Sequence, residues 1–266
     1  MIGKNAAVEV DGSAYWMSEN GFFRYTGKLE SLACLVEDYV YDDINTVPRQ
    51  HIYAGLNNLF GEVTWFYPGS GAASNNRSVT YNYMDSTPER PVWTTSSLAR
   101  STWSDSHIFG KPHATEYDSS ATSDTTVGNT DGVTIYYEHE TGVNQIKAGA
   151  ASAISASIES GDFDISATQG GADLRGDGDY MMKIRRVLPD FLQQTGDARV
   201  TLNLKNYPTD SQASSSLGPF TSSTTTDKID TRARARAISL KVDNTSTGQH
   251  WKLGTFRLDI QADGRR

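Results

Sequence analysis

The chain has 266 residues, 37% hydrophobic and 10% Phe, Trp or Tyr, with a formal net charge of −8. That length suits one large domain or two smaller ones, and the acidic balance disfavours tight general nucleic-acid binding, which needs a basic surface. Cys34 is the single cysteine, so an intrachain disulfide is excluded, and no apolar run approaches the length of a membrane span.

Taken in chain order, residues 1–13 read as a short lead-in without the apolar core of a secretory signal, and synthesis in a reducing cytoplasm is expected. From Ala14 the string AYWMSENGFFRYTG alternates large and polar side chains, as a strand with one buried face must. EVTWFYP from Glu62, SVTYNY from Ser78 and VTIYYEHE from Val133 repeat the pattern. Three of these segments end in turn signals: Thr26-Gly27, Pro68-Gly69 and Thr141-Gly142. Trp16, Trp65 and Trp93 recur at spacings in the range of the blades of a β-propeller or a related array. Residues 32–45 fit helix or strand, and Cys34 in their apolar run is expected to be a buried thiol. Residues 62–67 and 79–84 should pair across the polar loop GSGAASNNR, with Trp93 in a third strand. Trp65 and Tyr81 should then be buried on neighbouring strands of one sheet. Residues 114–132, rich in Ser, Thr and Asp, read as a long loop, after which Val133, Ile135, Tyr137 and His139 share one strand face.

Across 142–153 Ala and Gly replace aromatics, which places a boundary between an aromatic β region, 1–145, and a C-terminal β region, 146–266. Strands are expected over 154–165, 180–187, 200–207, 233–243 and 252–261. The Ser/Thr tract 211–226 reads as an exposed loop. Over 232–242, Arg232, Arg234, Arg236, Ile238, Leu240 and Val242 share parity, so one face turns from cationic to apolar. Either that strand leaves a core for an interface, or a bulge flips its register. In the last strand Gly254 separates Trp251 and Leu253 from Phe256, Leu258 and Ile260, and a bulge there would bring both sets to one face. From Arg232 to Arg266 eight Lys and Arg stand against Asp243, Asp259 and Asp263, a locally basic tail suited to an acidic partner. Arg232, Arg234, Arg236 and Arg257 are the candidate interface residues.

Catalytic signatures are missing: there is no G-x-S-x-G, P-loop, G-x-G-x-x-G or H-E-x-x-H. In Glu138-His139-Glu140, neighbouring strand residues face opposite ways and cannot converge on one metal. Asp173, Asp177 and Asp179 in GGADLRGDGD offer oxygen ligands for Ca²⁺ or make a tight acidic turn; their spacing is not that of an EF-hand loop. Arg175-Gly176-Asp177 is read as a chance tripeptide. Glu159, Asp162 and Asp164 could suggest a carboxylate pair for glycoside hydrolysis, but no second partner can be assigned. Arg185-Arg186 is either a solvated strand end or part of the same basic interface. No catalytic, cofactor-binding or metal-binding residue is assigned, and no cofactor is expected.

Several phrases together resemble a known family. WMSENGFFRYTG, VEDYVYDDIN, NNLFGEVTWFYP and SVTYNYMDSTPERPVW, followed by IYYEHETG, SASIESGDFDI, MMKIRRVLPDF, DTRARARA and WKLGTFRLDIQADGRR, resemble the tail nozzle and packaged-DNA-stabilisation proteins of short-tailed bacteriophages. The resemblance runs from about Ala14 to Arg266. It implies an all-β fold, with β-propeller-like blades followed by a β-sandwich-like C-terminal part. It further implies a non-enzymatic virion protein in a hexameric ring under the portal and adaptor, holding the genome in and letting DNA pass without sequence-specific binding. Adaptor, portal, other nozzle chains and tail fibres are the partners implied, and the virion tail the location. Such nozzles usually carry a large region before the matching segment, so a closed propeller within one subunit is not expected; blades from another chain or a minimal version are the alternatives. The rival readings are a phage receptor-binding or head-decoration protein and, in another class, a tail-associated glycan hydrolase.

Overall fold

The computed structural model describes residues 1–106, 108–119, 132–147, 149–165, 180–207 and 215–264. Its first sheet is a meander of β1 (Ala7–Val10), β2 (Ser13–Ser18), β3 (Gly21–Tyr25) and β4 (Leu29–Leu32), paired in chain order. Asp11 and Gly12 turn β1 into β2 with φ of +51° and +76°, the left-handed pair a two-residue hairpin needs. The expected lead-in is therefore structural: Ile2, Ala6 and Val10 are buried, and the Met17 amide donates to the Ala6 carbonyl at 3.1 Å. The ambiguous stretch resolves into α1 (Glu37–Asp43), pinned by the Tyr41 hydroxyl donating to the Ser18 carbonyl at 2.7 Å.

A second meander follows, of β5 (Tyr53–Asn57), β6 (Glu62–Tyr67), β7 (Arg77–Asn82) and β8 (Trp93–Ser96). Its register sets Trp65 opposite Val79, Val63 opposite Tyr81, and Tyr81 opposite Trp93. Trp65 and Tyr81 are buried on neighbouring strands, as expected. They share one core with Tyr15, Met17 and Phe22 of the first sheet. Trp65, Phe66 and Tyr67 in succession have no exposure, so β6 is covered on both faces. On the side away from Trp65, Phe66 meets Trp103 at 5.5 Å between ring centroids. Gly55 makes room for that indole: a Cβ there would lie 2.6 Å from the Trp103 ring.

Trp103 belongs to a third sheet, of order β11-β10-β9, from β9 (Thr102–Ser104), β10 (His113–Asp118) and β11 (Val133–Glu138). The loop expected over 114–132 thus begins as a strand. Pairing with β9 and β11 satisfies its backbone, so its polar composition is no obstacle.

The chain divides into two compact units, Met1–Thr141 and Gly142–Arg266. The second opens with the hairpin β12 (Asn144–Lys147) and β13 (Ala150–Ala153). A four-stranded sheet has the order β14-β20-β17-β18, from β14 (Ala156–Glu159), β17 (Ala198–Lys205), β18 (Ser215–Ser222) and β20 (Ala237–Asn244). A three-stranded sheet has the order β19-β15-β22, from β15 (Met182–Leu188), β19 (Ile229–Ala235) and β22 (Arg257–Ala262). The two enclose a core in which Met182, Ile184, Ala233 and Ala235 meet Val200, Leu202 and Ile238. β16 (Phe191–Thr195) pairs with β21 (His250–Leu253). Every pairing between these strands is antiparallel, and the protein is all-β. Each sheet is open, with two edge strands among the described residues.

Three expectations for this unit are corrected. The tract 211–226 is not all loop: 215–222 forms β18, because the ladder with β17 holds its backbone while Leu217 and Phe220 pack on the core. Residues 208–214 lie outside those described. The strand expected over 233–243 is two strands in different sheets, parted at Arg236. Odd residues face inward along β19, even ones at Ile238 and Val242 of β20, so the parity inverts where the chain changes sheet. The strand expected over 252–261 is likewise β21 and β22, with Gly254 in the connection. The Gly254 amide donates to the Asp190 carbonyl at 2.8 Å, and Phe191 packs against both Trp251 and Phe256.

Candidate functional site

The outer face of the β19-β15-β22 sheet gathers most of the candidate interface residues. On β19 the small or apolar Ile229, Thr231, Ala233 and Ala235 point inward, so Asp230, Arg232 and Arg234 point out. On β15 a register shift between Ile184 and Arg186 breaks the alternation. Both Arg185 and Arg186 are exposed, while Ile184 and Val187 stay in the core. The adjacent arginines thereby join the same face, with Lys183 directly opposite Arg234. On β22, Arg257 sits opposite the exposed Leu188, and Asp259 opposite Arg186.

Charge on this face is only partly balanced. Arg234 Nε donates to Asp263 at 2.5 Å, and Arg186 lies 3.5 Å from Asp230. Lys183, Arg185, Arg232 and Arg257 make no ion pair among the described residues. Arg236 is set apart in the bend after β19, where its amide donates to the Lys205 carbonyl at 3.1 Å. Sequence parity found Arg232 and Arg234; the adjacency of Arg185 and Arg186 was a usable signal. Lys183 was missed because the strand pairing that sets it opposite Arg234 leaves no mark in the sequence.

The first unit is the electrostatic opposite. Met1–Thr141 holds 8 Lys and Arg against 18 Asp and Glu, net −10; Gly142–Arg266 holds 16 against 14, net +2, and together these give the −8 of the chain. At one corner of the first unit, around the 57–62 turn, carboxylates crowd. Glu140 accepts from Asn57 Nδ2 at 3.1 Å, Asp105 from the Asn58 amide at 2.6 Å, and Asp85 from Asn82 Nδ2 at 3.2 Å. Glu62 stands opposite both Asn57 and Asn82 in the ladder, and burial, then Glu140 and Asp85, hold its carboxyl above the ordinary range. Leu59, Phe60 and Met84 are exposed beside them.

The chemistry-bearing strings do not converge. Glu138 lies 3.9 Å from Lys111, His139 Nε2 accepts from Arg100 Nε at 2.9 Å, and Glu140 turns to Asn57 with φ of +56°. Glu159 accepts from Ser239 at 2.5 Å and Asn203 at 2.7 Å, which hold its carboxyl below the usual range. Asp162 pairs with Lys205 at 2.6 Å. A general acid needs the opposite shift from that of Glu159. Cys34 is half-buried against the first core, and burial pushes its thiol up to about 11, an unreactive protonated group at neutral pH. Asp173, Arg175, Asp177 and Asp179 lie outside the described residues. Among the described residues no group of three His, Cys, Asp or Glu could hold a metal ion, and no helix is long and apolar enough to cross a membrane. No known family model and no curated protein sequence matches this chain.

Proposed function

We propose that the protein is a structural virion subunit: a tail nozzle or tail-hub component of a short-tailed phage, forming a homo-oligomeric ring, a hexamer, around a DNA exit channel below the portal and adaptor. The observation that carries this reading is the run of three consecutive antiparallel meanders in Met1–Thr141. They are linked through Phe22, Trp65 and Trp93 on one face of the middle sheet and through Phe66 and Trp103 on the other. Successive propeller blades are such units. Three open sheets do not close a ring, so a propeller-like array would need further blades or would be a minimal version. The two sheets around the second core would be the β-sandwich-like part.

The electrostatics suit a mechanical role. A net acidic chain repels phosphate and would let DNA slide past without sequence-specific binding. No residue is assigned to catalysis in this reading, and the carboxylates at Glu159 and Asp162 are engaged by side chains of their own unit. The test is to locate the chain in electron-microscopy maps of the particles it is made with. A ring at the tail vertex is expected. Density on the capsid lattice, a trimer at fibre tips, or absence from purified particles would reject the nozzle reading. Polysaccharide turnover lost on Glu159→Gln would reject the mechanical role.

A further inference from the structure

We infer that the outer face of the β19-β15-β22 sheet docks onto the acidic corner around residues 57–62 of a second copy of the chain, a head-to-tail contact. The inference rests on the ring reading only in taking a second copy as the partner.

Charge complementarity selects that occupant. Lys183, Arg185, Arg232 and Arg257 stand on one sheet face without an ion pair among the described residues, and Lys183 faces Arg234 across the ladder. Like charges directly opposite are unfavourable unless something anionic covers them, and Asp263 covers Arg234 while Lys183 makes no ion pair among the described residues. Arginine presents a planar fork of donors that matches a carboxylate. The chain carries its own carboxylate-rich surface: Glu62, Asp85, Asp105 and Glu140 make no ion pair among the described residues. Apolar contact is available on both sides, from Leu188 amid the cations and from Leu59, Phe60 and Met84 beside the carboxylates.

Nucleic acid fits the same face less well. Asp230, Asp259 and Asp263 are interleaved with the cations, and a phosphate backbone would meet each of them. The first unit's net charge of −10 would add to that repulsion. The two proposed surfaces are different patches, so the contact is heterologous and propagates into a ring or a filament rather than stopping at a symmetric dimer.

The experiment uses the full chain and two charge-reversal variants, Arg185→Glu/Arg232→Glu/Arg257→Glu and Asp85→Lys/Glu140→Lys. None of these five side chains forms an ion pair among the described residues, although Asn57 and Asn82 each lose a carboxylate acceptor in the second variant, and circular dichroism checks that the fold survives. Light scattering then reads mass against concentration at about 50 mM and about 500 mM salt, where screening differs several-fold. The parent should self-associate at low salt and weaken at high salt, and each variant alone should associate at least about tenfold more weakly. Mixed in equal amounts, the two variants should associate again, because the intact corner of one meets the intact face of the other and their two reversed surfaces are also complementary. A variant carrying both reversals should assemble again. A parent that stays monomeric at both salts, or an arginine variant that assembles like the parent, overturns the contact. So does retention of a short DNA duplex by the parent and not by the arginine variant. Failure of the ring reading is a separate result, since it is read from where the chain sits in the particle.

Discussion

Trp65 concentrates the energetics of the first unit in one side chain. Its indole is fully buried, stands 5.0 Å from the ring of Phe22 and 6.2 Å from that of Trp93, and donates to the Ala6 carbonyl at 3.1 Å. Trp65→Ala would empty that space and leave the Ala6 carbonyl with the Met17 amide as its donor, at a cost of about 3–5 kcal/mol, enough to remove most of a domain's stability. Loss of soluble, folded protein is expected; a urea midpoint close to the parent's would show that Trp65 is not central. His139 makes a different demand. Arg100, 3% exposed, lies 4.0 Å over the Tyr137 ring and 3.4 Å from Glu116, and donates to the neutral His139 ring. Burial, then Arg100 and His113, push the His139 pKa down to about 4. The unfolded chain takes up this proton near pH 6.5. Between about 6.5 and 4 the unfolded state binds more protons, so stability falls as pH falls through that window and levels off below it. The full loss is on the order of 3 kcal/mol. Thermal midpoints from pH 7 down to pH 5 should drop for the parent and drop less for His139→Gln, which keeps an acceptor for Arg100. Parallel slopes for the two proteins would assign the acid sensitivity elsewhere.

Between residue and molecule, the corners decide where strands begin and end. Gly254 lies where the chain leaves β21 for β22, and a Cβ there would fall 2.8 Å from the Asp190 carbonyl. Gly254→Ala should therefore displace that carbonyl and cost about 1–3 kcal/mol, as overpacking does. An unchanged urea midpoint would show that the connection yields freely. The same corners separate what was legible in the sequence from what was not. β2, β3, β6, β7 and β11 announce themselves because each carries aromatic side chains in a short run bounded by polar or turn residues. β1 was passed over because four residues, AVEV, hold too few periods to register. β10 and β18 were hidden because HATEYD and SSLGPFTS read as loop and owe their order to ladders with distant strands. The sheet change at Arg236 left a trace, a face of mixed character over 232–242, but that trace could not say which residue breaks the strand. The basic face was half legible: Arg232 and Arg234 by parity, Arg185 and Arg186 by adjacency. Joining them required the register of β19 on β15. The acidic corner was not legible, since Glu62, Asp85, Asp105 and Glu140 come from four separate segments.

Across the whole molecule, two cores and two charge balances suggest two folding units. The core of Tyr15, Phe22, Trp65 and Tyr81 draws only on Met1–Thr141, and that of Ile184, Leu202, Ala233 and Ile238 only on Gly142–Arg266. A unit with its own core can unfold by its own cooperative transition. Calorimetry of the full chain should then resolve two transitions, and substitutions should sort between them. His139→Gln, whose contacts reach Arg100 and Trp103, should alter the pH response of only the transition that belongs to Met1–Thr141. Gly254→Ala should shift only the other. Salt gives an independent handle. The crowded carboxylates of the first unit repel one another, so its midpoint should rise as salt screens them, and Glu62→Gln should raise it further by removing a desolvated charge beside Glu140 and Asp85. The second unit, with cations and carboxylates nearly matched in number, should respond less. A single transition that moves as a whole with both His139→Gln and Gly254→Ala would mean that the two cores fold as one, and the assignment of separate units to separate charges would have to be abandoned.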